Sequence, residues 1–264
     1  MNRKVLSILM VLLGVTFQLA LILPVVQAAP HTDITRAQAY AMIYSTDYPN
    51  LVVIDVRGAT SPPEPYPQNF NNGHILGAIN APVLPPSPYD YTALDAWISS
   101  PEGQSHKNDE IIVYCRSGGR SNLASNRLDA NGFTKVYDML GGYQGWIGEG
   151  KPIIDVTATI DIKPETLNLK SDGKWVTCYI ELPTPNSVND IDIVAIKMCG
   201  SVLAASEPTQ IGDYDSDTIP DLMVKFDRTA VQDLLDTGEK RLWVTFGLSN
   251  GKLCGGWDAI KVVG

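Results

Sequence analysis

The chain has 264 residues, room for one large domain or two small ones, and its 18 prolines and 22 glycines imply many turns. A net charge of -9 excludes nucleic acid as a partner, because binding phosphates needs a basic face. The acidity is uneven: residues 29–154 carry 12 acids against 8 bases, and residues 155–264 carry 17 against 10.

The first 28 residues read as an export signal. Asn2-Arg3-Lys4 gives a positive start, an apolar run extends from Val5 to Leu23, and Val26-Gln27-Ala28 supplies small residues for cleavage after Ala28. The run is almost long enough to span a bilayer, but Gln18 inside it and Pro24 after it favour removal over an uncleaved anchor. No cysteine follows at once to accept a lipid. The expectation is an extracytoplasmic protein (periplasmic, cell-surface or secreted) with no membrane association once the signal is removed.

Thr35 then offers an N-cap for a helix over 36–44, and Leu51 to Val56 reads as a buried strand ending in Asp55 and Arg57. Residues 61–72 form a proline-rich loop, expected as a stiff rim, and a short strand follows around Ile79. A second proline loop contains Pro82, Pro85, Pro86 and Pro88, and Asp90 to Ile98 reads as a helix. Ile111 to Tyr114 is a buried strand, Cys115 follows at once, and Asn122 to Leu128 has helical spacing up to the stop pair Asn131-Gly132. Lys135 to Met139 is another short strand, and Gly141-Gly142 opens a last helical turn. Strands alternating with helices imply an α/β domain over residues 29–154, a parallel sheet covered on both faces.

Beyond Lys151-Pro152 the pattern changes to short alternating strands: 160–162, 175–182, 191–198, 222–226, 242–246 and 258–263, with one helical stretch over 229–235. This predicts a mostly antiparallel β-sandwich over residues 155–264.

The chemistry concentrates at Cys115. Strand, tight loop and helix place this thiol at a strand's carboxyl end and a helix N-terminus, where unpaired amides and the helix dipole favour a thiolate and a bound anion. Arg116 and Arg120 lie within reach, Gly118 and Gly119 permit the positive φ of a tight curl, and the amides from Cys115 to Ser121 can converge on one anion, with Ser117 and Ser121 inside the loop. Asp55 and Arg57 fall at the same end of the sheet, where ligands of such sheets bind. They read either as substrate-binding residues or as a structural hydrogen-bonded pair. His74 reads as a packing or hydrogen-bonding residue, and Trp146, Trp175, Trp243 and Trp257 as core. Export permits one disulfide among Cys178, Cys199 and Cys254, with its pairing open, and leaves Cys115 unpaired.

Four motifs in order then carry a resemblance: Asp55-Val56-Arg57; Gly73-His74-Ile75 with Gly77-Ala78-Ile79-Asn80; Cys115-Arg116-Ser117-Gly118-Gly119-Arg120-Ser121; and Gly141-Gly142 with Trp146. Over residues 33–151 the chain resembles rhodanese domains. The resemblance implies a thiosulfate sulfurtransferase cycle that uses no catalytic cofactor. Cys115 would take the outer sulfur of thiosulfate or another sulfane donor as a persulfide and pass it to cyanide or a thiol. Arg116 and Arg120 would neutralise the donor and stabilise departing sulfite. Two departures stand out: the proline-rich segment between Arg57 and Gly73, whose Glu64 matches no family position, and the lack of a second rhodanese-like half. Other readings are a persulfide carrier, a surface binding protein, or a Cys-loop phosphatase or arsenate reductase. The phosphatase loop, however, needs its arginine six positions after the cysteine, where Arg120 is five positions on.

In the acidic half, Asp213, Asp215, Asp217 and Asp221 stand at positions 1, 3, 5 and 9 of a loop whose seventh residue, Ile219, offers its carbonyl. This spacing predicts a structural calcium site of extracellular type. Thr218 in place of the turn glycine and Val224 in place of the bidentate glutamate set it apart from an EF-hand.

Overall fold

The computed structural model describes residues 30–264; the expected signal segment lies outside the described residues. Five parallel strands form the first sheet in the order β1-β5-β4-β2-β3: β1 Thr32–Ile34, β2 Val52–Asp55, β3 Ala78–Asn80, β4 Glu110–Tyr114 and β5 Lys135–Met139. The helices are α1 Arg36–Ile43, α2 Thr92–Ser99, α3 Pro101–Ser105, α4 Gly119–Ala130 and α5 Gly142–Gly148. A capping box, Thr35 with Gln38, starts α1. The central strands are apolar on both sides because both sides are covered. Ile43 and Trp146, from α1 and α5, pack with Val53, Ile112 and Met139 on one face. Leu94 and Ile98 of α2 and Ala124 and Leu128 of α4 pack with Ile54, Ile111, Val113 and Val136 on the other. Strand β1 escapes the periodicity reading because three residues carry too little pattern; it exists through its pairing with β5.

The second half is the mostly antiparallel β-rich module that its pattern predicts. One sheet runs β11-β10-β14-β15-β6, with β8 also paired to β15; the other runs β12-β13-β9-β7. Their ranges are β6 Val156–Thr157, β7 Thr159–Lys163, β8 Thr166–Asn168, β9 Trp175–Glu181, β10 Lys197–Met198, β11 Val202–Leu203, β12 Gln210–Gly212, β13 Asp221–Asp227, β14 Gly238–Gly247 and β15 Leu253–Val263, with a short helix α6 at Arg228–Gln232. Alternate residues of β9 face the core, where Val176, Cys178 and Ile180 meet Phe226, Val244 and Ile260.

Two expectations need correction. Residues 191–198 are not one strand: short 3₁₀ turns at Val188–Asp190 and Ile193–Ala195 lead into the two-residue β10. The buried residues there are Ile191, Ile196 and Met198, while Val194 is exposed, a spacing that no alternating strand produces. The expected disulfide is also absent, since Cys178, Cys199 and Cys254 are all free. They act as small apolar residues, Cys178 and Cys254 inside the sandwich core and Cys199 packed at its edge. Burial pushes the Cys254 thiol up to about 11 and Cys199 to about 12.

The module rests on the α1–α5 side of the parallel sheet. Trp243 and Trp257 join the apolar cluster of Ile43, Leu51 and Trp146. Arg241 is buried with its guanidinium carbon 4.2 Å from the Trp257 ring centroid, donates to the Leu51 carbonyl, and meets Gly77, where any side chain would strike it. His74, buried and stacked on Phe70, lies 2.9 Å from the Thr157 hydroxyl and pairs by backbone with Ile154. Among the described residues no helix is long and apolar enough to cross a membrane.

Candidate active site

Strand β4 is buried from Ile111 to Tyr114, and its last side chain fixes the sheet's upper edge: the Tyr114 hydroxyl accepts from the Ile75 amide at 3.1 Å. Cys115 follows with 1% of its surface exposed. The chain then curls through Gly118, whose φ of 111° suits a residue without a Cβ, and enters α4 at Gly119. This curl points the Gly118 amide at Cys115 Sγ, 3.0 Å away. The Ser121 hydroxyl donates to the Gly118 carbonyl at 2.9 Å and closes the loop from behind. Amides of the first turn of α4 have no intrahelical acceptor and remain free for an anion beside the thiol.

A second glycine pair holds the loop from the opposite side. The amides of Tyr143 and Gln144 donate to the carbonyls of Cys115 and Arg116 at 2.8 and 2.9 Å. A Cβ on Gly142 would run into those same carbonyl oxygens, which explains why a glycine with φ of 54° stands there. The two glycine motifs, distant in sequence, are halves of one support.

In front of Cys115 opens a cavity of about 340 Å³ lined by Pro63, Glu64, Pro85, Tyr89, Cys115, Arg116, Ser117, Gly119 and Arg120. The expected loop residues Arg116, Ser117, Gly119 and Arg120 therefore converge with Cys115; Gly118 serves through its amide and Ser121 from behind. Arg116 keeps its Nε buried with no hydrogen-bond partner among the described residues, a cation still able to bind an anion. Arg120 pairs with Glu64, which is 3% exposed and also accepts from the Gly58 amide.

Asp55 and Arg57 lie outside this lining. Both are fully buried behind it. The Arg57 guanidinium donates to Asp55 (2.6 to 3.1 Å), to the Gln68 carbonyl at 3.0 Å and to the Gly73 carbonyl at 2.9 Å, with its carbon 3.6 Å from the Tyr143 ring centroid. Burial alone would lower its pKa, but the neighbouring Asp55 carboxylate carries it above the ordinary arginine value. The pair fastens the loop over 58–73 to the sheet, and that loop brings in Glu64 and Pro63. Sequence reasoning left Glu64 unassigned and did not single out Tyr89. Only the run of prolines signalled that this segment would be stiff enough to form a wall.

The aspartate loop curls between β12 and β13. Asp213 accepts from the Ser216 and Thr218 amides, Asp217 from the Ile219 amide at 2.7 Å, and Asp221 from the Tyr214 amide at 2.8 Å. Carboxylate oxygens of Asp213, Asp215 and Asp221 lie within 4.8 Å of one another, as do those of Asp215, Asp217 and Glu181. Glu181 was not foreseen; it enters because β9 pairs with β13 and sets it opposite Asp221. Burial and then the loop aspartates raise the Glu181 pKa. The Ile219 residue is exposed, and its amide rather than its side chain takes part in the curl.

Comparison with known proteins follows the same division. Residues 35–149 match the rhodanese-like domain family. The chain is 37% identical over 86 residues to thiosulfate sulfurtransferase 16, chloroplastic, of Arabidopsis thaliana, a match covering 33% of this chain and 72% of that protein. It is 39% identical over 93 residues to the senescence-associated protein DIN1 of Raphanus sativus, covering 33% of this chain and 48% of that relative, so it spans about half of its length. Among solved structures, a rhodanese-related protein of Thermoplasma volcanium is similar over 47% of this chain and 98% of its own, at 26% identity and a TM-score of 0.33.

Proposed function

We propose, from the premise that this chain belongs to the rhodanese-like family through its N-terminal domain, that it is an exported sulfurtransferase working through a persulfide on Cys115. The observation that carries this reading is the position of Cys115 Sγ, 3.0 Å from the Gly118 amide, with Arg116 and Arg120 in the wall of one small cavity. In the first half-reaction the Cys115 thiolate attacks the outer sulfur of thiosulfate or another sulfane donor. A new S–S bond forms, the donor's own S–S bond breaks, and sulfite leaves with the electron pair. The persulfide anion then sits where the helix amides and Arg116 favour negative charge. In the second half-reaction cyanide or a thiol attacks the terminal sulfur, and Cys115 departs again as thiolate. No cofactor enters either step. The leader reading, which falls on residues 1–28, supports action outside the cytoplasm after cleavage at Ala28. N-terminal sequencing of the exported protein checks the cleavage, and a chain still beginning at Met1 would make this segment an uncleaved anchor instead.

Glu64 tunes the donor site under this reading, because it occupies the cation that the anion would otherwise use. Glu64→Gln should release Arg120 toward the donor. One added charge-assisted hydrogen bond, about 1.5 kcal/mol, corresponds to a fall in KM for thiosulfate of roughly tenfold. Steady-state kinetics on the variant measure this. A raised KM would mean that Glu64 instead holds Arg120 in place for the anion.

The oxygen cluster of Asp213, Asp215, Asp217, the Ile219 carbonyl and Asp221, joined by Glu181, supports a structural calcium ion in the second module. Calorimetry on EDTA-treated protein should register binding at millimolar calcium together with a higher melting temperature, and Asp215→Asn should remove both. No heat and no melting shift would dispose of the site.

A further inference from the structure

A second group of ligand-type side chains lies at the outer edge of the parallel sheet, away from the Cys115 cavity. Strands β1 and β5 pair in a register that sets Asp33 directly opposite Asp138. Two carboxylates side by side on one sheet face repel unless something positive lies between them. His31, just before β1, brings a ring nitrogen so close that it and one oxygen of each aspartate lie within 4.8 Å of one another. Asp138 is 2% exposed beneath α4, and its Oδ1 is buried with no hydrogen-bond partner among the described residues. Ser121 and Asn122 of α4 approach this carboxylate, but the oxygen left without a donor is costly to bury and is open to a cation.

The imidazole is already oriented for this role. Asp129 of α4 accepts at one oxygen from both the His31 backbone amide at 2.9 Å and Nδ1 at 2.8 Å. A proton held on Nδ1 leaves the Nε2 lone pair as the donor atom, the arrangement by which a second carboxylate orients a metal-bound histidine. Nε2 now lies 3.1 Å from Asn122 Nδ2, a contact that the cation would replace. The other polar groups that face the cluster from α4 are Ser121 and Asn122, which approach the Asp138 carboxylate, and Asp129, whose second oxygen has no partner among the described residues.

We propose that His31 Nε2, Asp33 and Asp138 form a divalent-cation site of zinc type, with Asp129 as positioning residue. One nitrogen and two carboxylate oxygens suit zinc and leave a coordination position for water. The ion staples the first strand of the domain to β5 and, through Asp129, to α4, the helix whose first turn faces Cys115. The site is independent of the aspartate loop and shares no residue with the lining of the Cys115 cavity.

Titration of EDTA-stripped Cys115→Ser chain with zinc tests the proposal, the serine removing a competing thiolate. One zinc should bind with a rise in melting temperature, and cobalt in its place should give visible d–d absorption bands of a low-coordinate site. Asp129→Asn should weaken binding about 10- to 100-fold, and His31→Ala or Asp138→Asn by more. Asp33→Asn lies on the exposed rim, so it carries the test if the buried Asp138 variant fails to fold. Asp215→Asn, in the other cluster, should bind zinc as before. Equal zinc affinity in the parent, His31→Ala and Asp33→Asn chains, or no binding by the parent, would overturn the assignment.

Discussion

Cys115→Ser should abolish the proposed sulfur transfer: thiocyanate formation from thiosulfate and cyanide should fall by about 10³-fold or more, the result expected on losing the nucleophile of a double displacement. A serine hydroxyl in the same curl would still receive the Gly118 amide, so the anion site survives while the attacking atom does not. The fold should tolerate the exchange, and matching melting curves for the two proteins serve as the control. Intact-mass measurement after thiosulfate treatment completes the test, with one added sulfur on wild type and none on the variant. An adduct that forms but never turns over with cyanide or thiols would make the protein a persulfide carrier. Phosphate release from an aryl phosphate, lost in Cys115→Ser and unaccompanied by thiocyanate, would replace sulfur transfer altogether.

Arg57→Met destabilises the protein by about 3–5 kcal/mol, the consequence of stranding one half of a fully buried ion pair. Methionine fills much of the arginine volume but donates nothing. It leaves the Asp55 carboxylate uncompensated at 0% exposure and strips the Gln68 and Gly73 carbonyls of their donor. Urea denaturation measures the loss. Adding Asp55→Asn should recover part of it, since the neutral amide does not need the lost charge, and a coupling of about 0.5–3 kcal/mol between the two positions is the expected size. The loop over 58–73 hangs on Arg57, so Arg57→Met should also loosen Glu64 from Arg120 and lower the KM for the donor, in the same direction as Glu64→Gln. A single variant within about 1 kcal/mol of wild type would show that the pair is not what fastens this loop.

The sequence alone determined the centre of the first domain, because the strand, turn and helix start that set Cys115 are local. Four buried residues make a strand, the glycine at position 118 lets the chain turn back, and a helix must begin within a few residues, whereas the support from Gly142 and the two residues after it is a distant one. The parallel α/β layers and the alternating strands of the second half were legible for the same reason, each being a periodicity of short range. Longer-range relations were not. Whether Asp55 and Arg57 meet a substrate or each other depends on what covers them, and the loop over 58–73 covers them. Glu64 reaches Arg120 across 56 positions of chain, Glu181 joins the aspartate loop only through the β9–β13 register, and Asp33 meets Asp138 only because β1 pairs with β5. Tertiary structure alone decided these contacts. Which charges become neighbours is set by strand order and loop packing, and those follow from the sum of all burial rather than from any pattern written within a few residues.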